Sequence, residues 1–355
     1  MSDEHPLVLI TGVAGEVGAA IVGALGQSFH VVGLDQPGKT ASVPIVPVDL
    51  TNGASVQDAL NTVRNDHGER VASVIHLAGY YDFTGRDDPL YHTLNVEGTR
   101  RLLHALKPFR VEQLIYAGTM LVHAAVGPDE HFDEDRRLDP QWIYPECKAK
   151  AEAVIRQERG DINVVLFHLA GLYSDTTVVP TLAHQIARVR ERDLQSHLYP
   201  GKLRTRQSMV HHADMADAFR RAVERRADLP GETVILIGEP EPSRYLDLQD
   251  RIGELLHGQD WPTVRVPEVA AAVGAWVEDK LMPHLPPSLG GGTPFVRPFM
   301  IPQASDSYAF SIERAAALLG WAPSHRLWDE LPAILDGLKA DPKVWYKANK
   351  VEWRG

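Results

Sequence analysis

The stretch Leu7-Val8-Leu9-Ile10-Thr11-Gly12-Val13-Ala14-Gly15-Glu16-Val17-Gly18 decides the fold. An apolar, β-branched run stops at Thr11-Gly12, and a helical pattern, EVGAAIVGALGQ, opens at Glu16. Gly12 permits a tight turn, Gly15 lets the backbone approach a pyrophosphate, and Gly18 allows close helix packing. The helix N-terminus adds N–H donors and partial positive charge, so the turn reads as a phosphate cradle. A glycine pattern alone is weak, but one set between a strand and a helix is much stronger. Asp35 follows 20 residues after Gly15, at the end of a second strand, HVVGLD (30–35). There a carboxylate accepts hydrogen bonds from ribose hydroxyls. Asp35 repels a 2′-phosphate and no Arg follows it, Lys39 being the nearest cation, so NAD is favoured over NADP. Glu16 puts a negative charge in the turn, and its side chain is expected to point to solvent.

Outward from this stretch the first ~170 residues keep one rhythm. Strands are expected at 7–11, 30–35, 44–48, 72–78, 112–118 and 163–169, with helices between them. Strands spaced by ten-residue helical segments imply right-handed βαβ units, and near-continuous apolar strands imply helices on both faces. The fold class is α/β: a Rossmann doubly wound parallel sheet with a smaller, interleaved C-terminal substrate lobe. The expected division is 1–170 for the dinucleotide-binding domain, with 208–238 returning to it through the strand ETVILIG. Residues 171–207 and 239–340 make the substrate lobe, and 341–355 form a polar, aromatic-bearing tail. Pro and Gly crowd the segment 260–304; its part 283–302 is expected to cover the substrate pocket.

Composition sets the outer bounds. With 355 residues, 44% hydrophobic and 23% charged, the chain sits at the globular average. A formal charge of −11 argues against nucleic-acid binding, which needs basic patches. No apolar run approaches the ~18 residues of a membrane span. The start MSDEHPLVLI has acids where a signal peptide needs basic residues, so the chain reads as soluble and cytoplasmic. One cysteine, Cys147, excludes an intramolecular disulfide; the 16 His are scattered, so no metal is expected.

Tyr144-Pro145-Glu146-Cys147-Lys148 places Tyr and Lys at i, i+4 on a helical pattern, on one face. Free Tyr, with a pKa near ~10, is a poor base at neutral pH. An ammonium at ~4 Å favours phenolate by about 4 kcal/mol at an effective dielectric of ~20, before desolvation opposes it. The pair then suits hydroxyl-to-carbonyl chemistry.

Taken together, these features resemble the extended short-chain dehydrogenase/reductase family, including its epimerases, dehydratases and 3β-hydroxysteroid-dehydrogenase-like members, over nearly the whole chain. TGVAGEVG is similar to its TGxxGxxG turn, Asp49-Leu50 to its adenine-contacting pair, and HLAG (76–79) to its HLAA. NVEGT (95–99) matches NxxGT, AGTMLVH (117–123) its SSxxVYG, VHHADMADA (210–218) its VHVDDVADA, and FSIERAAALLGWAP (310–323) its C-terminal element. The resemblance implies Tyr144 as acid/base, Lys148 as the residue that binds the nicotinamide ribose and tunes Tyr144, and Thr119 as the hydroxyl on the reacting oxygen. With the cradle, it implies an NAD site of Gly12, Ala14, Gly15, Glu16, Val17, Gly18, Asp35, Asp49, Leu50, Leu77, Ala78, Gly79, Asn95, Tyr144, Lys148 and Leu169. It also implies a homodimer through helices corresponding to 88–107 and 142–160.

Departures from the family pattern bear on the substrate. Met120-Leu121 replace the dehydratases' acid pair, which argues against dehydration. Gln207 stands where epimerases carry a phosphate-gripping Arg, with Arg204 and Arg206 only nearby; His168-Leu169 replace Arg-Pro, and His123 replaces Tyr. An apolar-leaning pocket is expected, faced by Tyr81, Phe83, His123, His168 and Tyr173, with Arg206 as its candidate cation. The leading expectation is an NAD-dependent oxidoreductase interconverting a secondary alcohol and ketone on a small-molecule substrate. The alternatives are a nucleotide-sugar epimerase with recycled NAD and a catalytically silent dinucleotide sensor.

Overall fold

Each apolar run picked out above pairs into a sheet in a computed structural model that describes residues 5–82, 85–281, 284 and 296–353. The first six strands are β1 (Leu7–Thr11), β2 (His30–Asp35), β3 (Ile45–Pro47), β4 (Arg70–His76), β5 (Arg110–Thr119) and β6 (Asn163–Leu169). Short strands β7 (Gly171–Tyr173), β8 (Leu198–Tyr199) and β9 (Met209–His211) follow, and β10 (Glu232–Ile237) completes the main sheet. Its order is β3-β2-β1-β4-β5-β6-β10, parallel throughout. The order reverses between β1 and β4, and ligands of such sheets bind at that point, beyond the carboxyl ends of the strands.

Strand parity builds two cores. Val8 and Ile10 of β1 face a cluster with Phe167 and Phe219, while Leu7 and Leu9 face Leu60, Leu103 and Ile155. The first face is covered by α1 (Glu16–Leu25) and, from later in the chain, by residues of the helix His212–Glu224. The second is covered by α2 (Gly53–His67), α3 (Glu97–Leu106) and α4 (Ile143–Glu158). Burying each large side chain is worth roughly 1.5–3 kcal/mol, so both faces hold the sheet firmly. The helical pattern before α3 takes a π-helical turn at Tyr91–Val96, close to the cofactor side.

A third core gathers Leu182 and Ile186 of α5 (Pro180–Arg190) with Leu248, Trp261, Leu331 and Leu335. The tail expectation needs correction here. Pro342–Ala348 is a helix whose Trp345 and Tyr346 are buried in this core. Asn349 pins it, accepting from Val178 N at 2.8 Å and donating to Thr176 O at 3.0 Å. Among the described residues, no helix is long and apolar enough to cross a membrane.

Candidate active site

The cradle is made of backbone. Gly12 has φ +73, and a Cβ there would meet Ala78 N at 3.0 Å, so only glycine lets β1 and β4 come together at the turn. Gly15 N-caps α1 with no side-chain partner, leaving the first amides of α1 available to an anion. Gly18 does not reach the cavity: its Cβ would stand 2.5 Å from Val13 O, so it acts by letting α1 pack under the turn. Asp35 is held in place by two amides, Ala14 N at 2.9 Å and Gln36 N at 2.8 Å. Asp49 is likewise fixed by Thr51 N at 2.9 Å. Gly12, Ala14, Gly15, Asp35 and Asp49, with Glu16, Val17, Leu50, Leu77, Ala78, Gly79 and Leu169, line one end of a continuous cavity of about 1420 Å³. Glu16 is exposed at its rim, and burial pushes His212 down against the opposing pull of the Glu16 charge.

Behind the cradle, His76 ties the strands together, a role the sequence did not suggest. Thr99 Oγ1 donates to Asn95 O at 2.6 Å, so it accepts from His76 Nε2 at 2.9 Å. His76 Nδ1 then accepts from Thr11 Oγ1 at 2.7 Å, and Thr11 accepts from Ala78 N at 3.1 Å. Burial, with Lys148 adding to it, holds His76 down at about 3, in keeping with a neutral ring. Asn95 is also structural: Oδ1 accepts from Tyr80 N at 2.6 Å, and Nδ2 donates to Tyr80 O and to Cys147 Sγ. Its place is behind the loop that lines the cavity, not in the cavity.

Thr119 ends β5 and accepts from Leu121 N at 3.3 Å, which leaves its hydroxyl hydrogen for a ligand oxygen. Tyr144, on the first turn of α4, lines the cavity beside Thr119 and Gly79. Tyr81 packs edge-on to it at 4.7 Å, Trp142 lies 5.5 Å away, and Phe299 lies beyond Trp142 at a tilt. Lys148 is buried, donates to Ala117 O at 2.9 Å, and would sit 3.5 Å from a Cβ on Gly79. Its Nζ is 5.9 Å from the Tyr144 ring centroid. The expected tuning is therefore not built into the protein alone. Burial, then Cys147 and Tyr91, pushes the Tyr144 hydroxyl up, while burial brings Lys148 down to about 8.

The cavity continues into the second lobe past Leu172, Val178, Leu182, Gln207, Met209, Phe299, Met300 and Ile301. Four expected substrate contacts are overturned among the described residues. Tyr173 and Arg206 are each one residue out of phase: their neighbours Leu172, Thr205 and Gln207 face the cavity. Tyr173 is instead buried in the third core, with its hydroxyl toward Glu239. Arg206 is held through its backbone by Tyr308 N at 2.7 Å. His123 and His168 are buried at 0% and 1% exposure and bond to each other. Phe83 lies outside the described residues, as do 283 and 285–295 of the expected cover; Val296, Phe299, Met300 and Ile301 of it line the cavity. Sequence reasoning missed Trp142, Arg188 and Glu239, all on the wall. Trp142 directly precedes the Tyr144 turn and was within reach; Arg188 and Glu239 carry no local signal.

The fold and cradle define a dinucleotide-dependent enzyme, and Tyr144 lines the cavity beyond the cradle. Residues 8–238 match the family model described as the NAD dependent epimerase/dehydratase family. The chain belongs to this family, within the extended short-chain dehydrogenases/reductases, and NAD is its cofactor. It is 23% identical over 311 residues to a decarboxylating sterol-4-alpha-carboxylate 3-dehydrogenase of Candida albicans, covering 82% of both chains. It is 25% identical over 344 residues to a 3 beta-hydroxysteroid dehydrogenase/Delta 5→4-isomerase of Mycobacterium tuberculosis, covering 91% of this chain and 88% of that one. In fold it is similar to UDP-glucuronic acid 4-epimerase from Bacillus cereus, with a TM-score of 0.67, 20% identity, and 94% and 99% of the two chains covered.

Proposed function

We propose that the protein is an NAD-dependent oxidoreductase acting on a secondary alcohol or ketone carried by an apolar molecule. The observation that carries this reading is the apolar part of the wall beyond Tyr144, made of Leu172, Val178, Met209, Phe299, Met300 and Ile301, with Thr205 and Gln207 as the polar residues that the approach to β9 brings to it. Two relatives named for sterol or steroid dehydrogenation point the same way. The cradle fits NAD: the space a Cβ would fill at Gly12 is closed, the α1 amides are open, and Asp35 is pre-positioned. When bound, NAD supplies the hydride acceptor or, reduced, the donor. Tyr144 holds its proton at Oη and delivers it to the carbonyl oxygen in reduction, or takes it back in oxidation. Thr119 Oγ1 positions that oxygen, and Lys148, under Gly79, holds the cofactor side of the site. The aromatic rings of Trp142 and Phe299 keep water from the reacting atoms. The lobe division at 170 and 208–238, and a homodimer through α3 and α4, belong to this proposal; sedimentation tests the latter.

A second reading, the nucleotide-sugar epimerase, is favoured by Arg188, a cation of α5 on the cavity wall. Titration with UDP, alongside NADH absorbance with hydrophobic secondary alcohols, separates the two. Stoichiometric NADH and no UDP binding support the oxidoreductase. Micromolar UDP binding that Arg188→Ala abolishes would replace it with the epimerase.

A further inference from the structure

Behind α4 lies a buried chain that the proposed mechanism does not use. His123 Nε2 is 2.7 Å from His168 Nδ1, and His168 Nε2 is 2.9 Å from Glu152 Oε1. Its hydrogen count follows from its two ends. Arg136 O, 3.0 Å from His123 Nδ1, only accepts, and an ionised carboxylate at the other end only accepts. The three contacts along the chain then need three hydrogens on two rings, one more than two neutral imidazoles carry. Losing that proton sets lone pair against lone pair, and gaining another sets donor against donor.

The carboxylate end of the chain is ionised. Burial opposes ionisation of Glu152, but His168, Arg156 and His123 together outweigh it, so its carboxyl lies below the usual range. Arg156 Nη1 stands 3.5 Å from its second oxygen. Glu152 also follows Lys148 by one helical turn on the same face. Lys148 bonds Ala117 O, and Glu152 Oε1 comes within 3.0 Å of where a Cβ on Gly118 would be. The two side chains thus lie under successive residues of β5. Two anionic groups act to raise Lys148 against its burial, Cys147 and Glu152. Burial pushes the Cys147 thiol up, so at neutral pH it is uncharged and Glu152 carries the charge. The remaining groups around them are Tyr116 on β5, 4.9 Å from Lys148 by its ring, His76 on β4, and Tyr144 on α4.

We infer that Glu152, fixed by the His168–His123 chain, is the counter-charge that keeps Lys148 an ammonium, making these three residues a positioning device for the reacting centre. Its consequence for the site rests on the role proposed for Lys148; the charge coupling does not. The test is an NMR titration of full-length protein with labelled lysine, Lys148 being assigned from Lys148→Arg. In Glu152→Gln the Lys148 midpoint falls by about one pH unit or more. Glu152→Asp, which keeps the charge, leaves it near the original value, and His168→Gln, which removes a cation while Arg156 still faces Glu152, does not lower it. A midpoint unmoved in Glu152→Gln overturns the inference; should that variant fail to fold, an unmoved midpoint in Glu152→Met does so. NAD affinity at pH 7, measured in parallel, separates the two ideas. A shifted midpoint with unchanged affinity upholds the coupling and counts against the role given to Lys148.

Discussion

The two ends of the cavity are built from different materials. The cradle end uses backbone: a left-handed Gly12, uncapped amides of α1, and an Asp35 carboxylate clamped by two amides. The far end uses side chains on strands of two or three residues, β7 to β9, and on helices that answer to the third core. Backbone dipoles cannot be retuned without moving the chain, whereas side chains change without disturbing the frame. One end therefore keeps its ligand across a family, and the other is free to vary.

The largest expected effect lies where the two ends meet. Tyr144→Phe keeps the ring and its packing on Tyr81 but removes the proton carrier, so turnover falls roughly 10²–10⁴-fold. Calorimetry should find NAD affinity unchanged; turnover near that of the unsubstituted protein would mean that Tyr144 is a wall residue like its neighbours.

Next comes Glu239 at the side-chain end. Burial pushes its carboxyl up to about 7 from the ordinary 4.5. Raised in the folded state, it contributes stability that is full below pH 4.5 and lost as pH rises through about 7. Glu239→Gln removes that slope, so the variant gains about 3 kcal/mol relative to the parent at pH 8 and nothing at pH 4. Denaturant midpoints at the two pH values measure it, and parallel curves would contradict it.

Asp35→Ala, at the backbone end, loses charge-assisted hydrogen bonds to the ribose. NAD should bind roughly ten- to a hundredfold more weakly, with NADP affected less. An unchanged preference for NAD would show that the cradle selects without its carboxylate. The smallest effect sharpens the parity argument: Gln207→Ala should alter ligand affinity by severalfold, and Arg206→Ala not measurably. The reverse order would put Arg206 in the cavity.

The same contrast explains what could be read in the sequence. Gly12, Gly15 and Asp35 were legible because local backbone geometry dictates residue type, and the strands because parallel burial leaves apolar runs. That Tyr144 and Lys148 share one helix was legible from their spacing, but the distance between Lys148 and the phenol was not, since packing against Ala117 sets it. Tyr173 and Arg206 failed by one position, because a three-residue strand and an isolated bridge are too short for hydrophobic alternation to fix which side faces the cavity. His123 and His168 sit near strand ends where ligands bind, yet strand direction turned them toward Glu152. Arg188 and Glu239 owe their positions to the third core, which forms from segments far apart in the chain.

The late arrival of β10 has a consequence for how the chain is made. β6 leaves the ribosome with one edge unpaired, and its partner β10 follows only after β7, β8, β9 and two helices have been synthesised. At roughly 5–20 residues per second that edge waits several seconds, a template for pairing with another nascent chain. Translation speed across the excursion, and any chaperone that shields the edge of β6, therefore bear on the yield of native protein independently of its final stability.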